Sequence, residues 1–148
     1  MNFDFLDICQ KNQINNVLIP NLPKYYLGDP KDFVNPNLQV IKTDKKVFEL
    51  EYGDLNQIQL VWLDCSNILQ ENFETIMTHI LGLGVSWVWI PSLRLSDHSG
   101  NNFGFNPKKE IFMSFKDMIL LMEKSMYSIH WSKSTYEESV KSILLKKY

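Results

Sequence analysis

The segment from Ile58 to His98 constrains the fold of this chain more than any other. Ile58–Leu63 is an apolar run of strand length. Ser66 or Asn67 then precedes a stretch to Leu81 in which Leu69, Phe73, Ile76, Met77 and Ile80 recur at helical spacing. Gly82-Leu83-Gly84 breaks that pattern, and Val85-Ser86-Trp87-Val88-Trp89-Ile90 follows. Successive side chains of a strand point to opposite faces. Trp87 and Trp89 therefore share one face and Val88 and Ile90 the other, which leaves no solvent face and places this strand inside a sheet. Strand, helix and buried strand in that order make a β-α-β crossover. Open α/β folds put their sites beyond the carboxyl ends of such strands, here the polar loop Pro91-Ser92-Leu93-Arg94-Leu95-Ser96-Asp97-His98-Ser99-Gly100.

The flanking sequence completes a sheet with helices. Asp4–Asn12 reads as a short helix turning Phe5, Leu6 and Cys9 inward, and Val17–Ile19 as a short strand ended by Pro20. Pro20, Pro23, Pro30 and Pro36 make residues 20–37 irregular. A β-meander is expected next, with strands over Leu38–Lys42, Val47–Tyr52 and Ile58–Leu63. In its middle strand Phe48, Leu50 and Tyr52 alternate with Val47, Glu49 and Glu51. Ile111–Ser114 suits a short strand, and Ser114-Phe115-Lys116-Asp117 resembles a capping box opening a helix through Met118–Met122 to Met126. Ser134-Thr135-Tyr136-Glu137 is read as the cap of a last helix with the stripe Tyr136, Val140, Ile143 and Leu144. The expectation is a single α/β domain over residues 1–148, with α+β as the alternative class. Its mixed sheet is built from the meander and the crossover, with C-terminal helices packed on it.

Composition narrows the function classes. The chain has no alanine and one arginine, Arg94, while lysine, asparagine and isoleucine abound, the bias that AT-rich coding in a bacterium, phage or mobile element produces. Residues 1–100 carry twelve acidic and seven basic side chains, and residues 101–148 carry five and eight, so the charge is polarised although the net value is only −2. No dense Lys/Arg stripe marks a nucleic-acid surface. Cys9 and Cys65 belong to no CxxC unit and fit buried free thiols in a reducing compartment. The first residues carry Asp4 and Asp7 where a secretion signal carries lysines. Thr75–Leu93 has no charged residue, but its His79, Gly82, Gly84, Ser86 and Pro91 fit a helix followed by a buried strand better than a membrane span. A cytoplasmic protein is expected.

The candidate chemistry is sparse. Gly82-Leu83-Gly84 follows a helix and precedes a strand, the reverse of the phosphate-binding order, so these glycines face a helix C-terminus that repels phosphate. Asp97-His98 between Ser96 and Ser99 holds acid–base atoms, yet neighbours in a loop seldom aim at one point and no GxSxG elbow is present. Arg94 offers bidentate anion recognition or a structural salt bridge to Asp64 or Asp97. His79, His98 and His130 have no metal-ligand spacing, and no metal or cofactor is expected. Trp62, Trp87, Trp89 and Trp131 read either as core or as anchors at a partner surface. Glu49 and Glu51, with Asp44 and Asp54 at the strand ends, form a one-faced acidic row or an ordinary solvated face.

The run from Asn72 to Asp97 resembles the signature of the fungal heterokaryon-incompatibility domain, which has a helix, a Leu-Gly turn, a strand ending in aromatic-Ile-Asp and then Ser-Leu-Cys-Ile. Leu81-Gly82, Trp89-Ile90 and Ser92-Leu93 match it, while Pro91 stands at the aspartate and Arg94 at the cysteine. The resemblance covers under a fifth of the chain and carries no catalytic residue across. It implies a TIR-related fold, some members of which cleave NAD.

These readings favour a small cytoplasmic binding protein without catalysis, an inhibitor of the immunity-protein, antitoxin or phage anti-defence kind. Asp44, Glu49, Glu51 and Asp54 would meet a basic surface on another protein, a toxin or nuclease, with Tyr25, Tyr26 and Trp131 as aromatic anchors and no direct contact with nucleic acid or membrane. The alternative is a nucleotide-binding or NAD-cleaving enzyme on the β-α-β unit, using Arg94, Asp97 and His98. A structural subunit, the third reading, requires an apolar patch left open on the isolated chain.

Overall fold

The structure is a computed structural model that describes residues 3–20, 38–65, 68–96, 111–135 and 139–148. Three helices and seven strands occur among them: α1 (Phe3–Lys11), β1 (Asn16–Pro20), β2 (Gln39–Thr43), β3 (Leu60–Trp62), α2 (Phe73–Gly82), β4 (Trp87–Ser96), β5 (Phe112–Ser114), α3 (Phe115–Ser125), β6 (Tyr127–Ser134) and β7 (Val140–Lys147). They build one mixed sheet in the order β2-β1-β3-β4-β7-β6, with β5 pairing the far end of β4. The α/β class and the mixed sheet hold.

The parallel half carries the crossover. β1 pairs with both β2 and β3, and β3 with β4, all in parallel. β4 is buried from Trp87 to Ile90, and its two faces enter different cores. Val88 and Ile90 join Phe73, Met77 and Ile80 of α2 and Met118, Leu121 and Met122 of α3. Trp87 and Trp89 join Trp62 and, from α1, Phe5, Leu6 and Cys9. Helices thus cover both faces, and Trp62, Trp87 and Trp89 are core residues. The ring of Phe5 meets that of Trp62 edge-on at 4.8 Å, a favoured aromatic geometry.

The expected middle strand of a meander is absent. Residues 47–49 and 52–55 form two 3₁₀ turns instead. Val47 and Leu50 are buried while Phe48 and Glu49 are exposed, the spacing of three that a 3₁₀ turn superimposes. Local bonds hold these turns against the competing ladder: Lys46 N–H donates to the Glu49 carboxylate at 3.0 Å and Glu51 N–H to the Asp54 carboxylate at 2.9 Å. β2 lies against β1 in parallel, in the register Asn16 to Gln39 through Pro20 to Thr43.

The expected last helix is strand β7, inserted antiparallel between β4 and β6. Val140 and Ile143–Leu145 are buried, so the run meets core on both faces. A short apolar run of that kind has no period that separates helix from strand. Tyr136 lies outside the described residues. α3 begins as expected, with Ser114 Oγ accepting from Asp117 N–H at 3.1 Å. The turn after α2 takes its left-handed residue at Gly84 (φ 77°), not at Gly82. Beyond it the Tyr127 hydroxyl donates to the Val85 carbonyl. No helix among the described residues is long and apolar enough to cross a membrane.

Candidate functional site

Strand order decides where a site can form. From β1 the chain goes to β2 on one side, then returns to β3 on the other and continues to β4. The strand order therefore reverses between β1 and β3, the switch point at which open α/β sheets carry a crevice. The expected location, a polar loop over Pro91–Gly100, is strand β4 as far as Ser96 and lies outside the described residues from there on; β4 is one strand away from this switch point.

The described part of the crevice is lined by Pro20 at the end of β1, by Lys46, Val47 and Phe48 from the turns after β2, by Asp64 just beyond β3, and by Ile68 and Ile76. It encloses about 150 Å³. A neighbouring hollow of about 300 Å³, lined by Phe48, Asn72, Thr75 and Ile76, shares Phe48 and Ile76 with it. Both follow from local sequence. Leu60-Val61-Trp62-Leu63 is driven into the core, so Asp64, half-buried, is the first charged residue at the strand's end. The 3₁₀ turn that buries Val47 turns Phe48 out over the hollow, where its ring stands 5.0 Å from that of His79. His79 Nε2 bonds the Leu50 carbonyl at 2.9 Å and fastens the turn to α2.

The floor is chemically quiet. Burial raises the Cys65 thiol far above its ordinary value, and the Asp64 charge adds to the effect. Burial likewise pushes Cys9 up to about 12. Both cysteines are free thiols and neither is a nucleophile at neutral pH. Among the described residues no three His, Cys, Asp or Glu side chains group as a metal site.

The residues singled out from sequence disperse. Asp44 follows β2 directly and is exposed at the sheet's carboxyl end. Glu49 and Asp54 are engaged with main-chain N–H groups, and Lys45 Nζ lies 3.0 Å from both carboxylate oxygens of Asp54. Glu51 caps the second turn, so the four acids form no one-faced row. Trp131 is half-buried, its ring 5.7 Å from that of Trp89. Arg94 is only 5% exposed and donates from Nη1 to Ser139 Oγ at 2.9 Å, inside the sheet rather than at an open mouth. Tyr25, Tyr26, Asp97 and His98 lie outside the described residues. The sequence reading passed over Asp64 as a ligand group, although an acid ending a buried parallel strand is the available signal.

No family model matches the chain, and no curated protein matches it in sequence. Solved structures do match the fold. A putative O-methyltransferase from Nostoc punctiforme PCC 73102 aligns over 97% of this chain and 55% of its own length, with a TM-score of 0.64 and 14% identity. The magnesium protoporphyrin IX methyltransferase of Synechocystis PCC 6803, solved with bound SAM, aligns over 98% of this chain and 76% of that one, with a TM-score of 0.59 and 10% identity. The N-terminal domain of EvdMO1, solved with SAH, aligns over 98% and 81%, with a TM-score of 0.54 and 10% identity.

At such identities the likeness establishes the architecture, a Rossmann-like α/β fold of the kind found in methyltransferases. It overturns the expectation of a non-enzymatic immunity protein, antitoxin or anti-defence inhibitor, since the fold matched is one that carries enzymes. The acidic strand on which that expectation stood is a pair of 3₁₀ turns.

Proposed function

We propose that the chain binds S-adenosylmethionine at the switch point between β1 and β3 and works as a methyltransferase. The observation that carries this reading is the crevice itself. A cation and a carboxylate, Lys46 and Asp64, line one apolar hollow at the place where the strand order reverses.

The donor set fits the ligand. Its amino-acid end is a zwitterion, which Lys46 and Asp64 match with opposite charges. Val47, Ile68 and Ile76 give the apolar wall that a purine or thioether needs. Asp44, at the carboxyl end of β2, occupies the place where related nucleotide folds put the acid that accepts ribose hydroxyls. Lys45 is held by Asp54, so its charge is drawn away from this acid. When bound, the cosubstrate supplies an electrophilic methyl group. The chain's share is to orient it, offset its positive charge and keep water from the apolar wall.

Phosphate-bearing cofactors fit less well. Residues 21–37, which follow β1, have Gly28 as their one glycine and no G-x-G-x-x-G. A pyrophosphate needs such glycines for close main-chain approach, whereas an adenosyl amino acid has no phosphate to seat. A cytoplasmic location agrees with this reading.

Thermal unfolding with S-adenosylhomocysteine, adenosine and NAD tests the proposal. At a hundredfold excess over Kd a ligand adds ~2.7 kcal/mol, a rise of roughly 5–10 °C for a chain of this length. S-adenosylhomocysteine is expected to give that shift and NAD none. Absence of a shift with S-adenosylhomocysteine at millimolar concentration overturns the proposal.

A further inference from the structure

The outward face of α3 is apolar where a surface helix is ordinarily polar. Met118, Leu121 and Met122 fill the core, while Ile119 and Leu120 on the opposite side are 56% and 53% exposed. Phe115 and Met126 extend the patch along one flank, at 38% and 59% exposure. Among the described residues, four of the ten large apolar side chains that stand exposed fall on this one helix and its cap. Such concentration marks an interface, whereas scattered exposed leucines need no explanation. None of the residues lining the crevice belongs to α3.

The charges around the patch select its occupant. Lys116 lies one turn before Ile119 and Leu120 on the same face, and Glu123 one turn after. A second α3 packed antiparallel, with a twofold axis between Ile119 and Leu120, sets each Lys116 against the partner's Glu123. Parallel packing would set lysine on lysine and glutamate on glutamate. The face has no net charge, so neither a basic nor an acidic partner is favoured, while its plus-to-minus order along the helix is complementary to itself. Within a single chain these charges are badly placed. Lys116 sits in the first turn and Glu123 in the last, where the helix dipole opposes both. A partner helix running the other way supplies the compensation.

We propose that the protein forms an isologous homodimer through antiparallel contact of α3, centred on Ile119 and Leu120. A contact of about three helical turns with flanking Phe115 and Met126 is smaller than the ~800 Å² per partner of a stable interface. The dimer is therefore weak and dissociates on dilution.

Sedimentation velocity of the full chain from about 1 to 500 µM is the test, with circular dichroism as the folding check. A reversible monomer–dimer equilibrium is expected. Lys116→Glu alone and Glu123→Lys alone each make two repulsive contacts per dimer and raise its dissociation constant about tenfold. The double variant Lys116→Glu/Glu123→Lys restores dimerisation, because the complementarity is merely inverted. This double variant also relieves the dipole conflict, so it folds at least as well as the natural chain. Monomer at every concentration, or a dimer indifferent to the single reversals, overturns the proposal.

Discussion

His79 Nε2 lies 2.9 Å from the main-chain oxygen of Leu50, and this bond joins α2 to the turns that follow β2. A carbonyl only accepts, so the ring carries its proton on Nε2. The consequence is positional. Phe48, two residues before Leu50, lines both hollows of the crevice and is held against the His79 ring. His79→Ala removes the donor and leaves the Leu50 carbonyl short of a partner, at a loss of about 1 kcal/mol. Urea unfolding is expected to show that modest loss together with a disproportionate weakening of ligand binding. Unchanged binding would separate the turn from the site.

The clasp of Lys45 on Asp54 predicts a pH window. The Glu51 N–H, then Lys45, holds the Asp54 carboxyl below its ordinary value, and the hydrogen bond to Asp54 raises Lys45 above its own. A lowered acid contributes stability above its unfolded pKa and loses it as pH falls. A raised base contributes below its unfolded pKa and loses it as pH rises. The clasp therefore acts between about pH 4 and pH 10. Asp54→Asn keeps an oxygen for the Glu51 N–H and removes only the charge. Its Tm is expected to lie slightly below wild type at pH 7, to converge with it as pH falls below the lowered pKa of Asp54, and to approach it in 1 M salt, since both groups are at the surface.

Gly84 has φ 77° in the turn between α2 and β4, and a Cβ there would stand 2.8 Å from Lys147 Nζ. Lysine's ammonium sits at the end of a flexible chain and can move, so the clash is cheap and the backbone sets the cost. Gly84→Ala is expected to lose about 1–2 kcal/mol. Lys147→Ala in the same chain recovers little of it, while Gly84→Asn is milder. Full rescue by Lys147→Ala would show that contact, and not φ, governs the position.

Burial raises both thiols, with Cys9 at about 12. In native protein at pH 8 neither is expected to react with a disulfide reagent on the time scale of minutes, and in denaturant both are. Rapid native labelling of Cys65 would mean that the floor beside Asp64 opens to solvent.

Much of the fold was legible in the residues. Trp87-Val88-Trp89-Ile90 could only be an interior strand, because both of its faces are apolar, and the structure divides them between two cores. The helix preceding it was plain in kind and in its end but not in its start, which lies at Phe73 after a 3₁₀ turn over Gln70–Asn72 and not at Ser66 or Asn67; the capped start of α3 was as expected. Legibility failed where local pattern and tertiary pairing disagree. Phe48, Leu50 and Tyr52 alternate like a strand, yet Glu49 and Asp54 bond the main chain locally and close two turns. Val140–Leu145 reads as a helical stripe until β4 and β6 are present to pair with it. The site was harder still. Its position depends on β2 and β3 flanking β1, a relation between strands that no single segment carries, so the local pattern points to Arg94, which lies within β4, and not to Asp64 just beyond β3.

Isothermal titration with S-adenosylhomocysteine tests the switch-point site most directly, using the natural chain and Asp64→Asn, with circular dichroism to confirm that both are folded. One site with micromolar Kd is predicted for the natural chain, weakened about tenfold or more in Asp64→Asn by loss of a charged hydrogen-bond acceptor. No binding by folded natural chain at millimolar ligand, or binding that Asp64→Asn leaves unchanged, would contradict the assignment of the crevice.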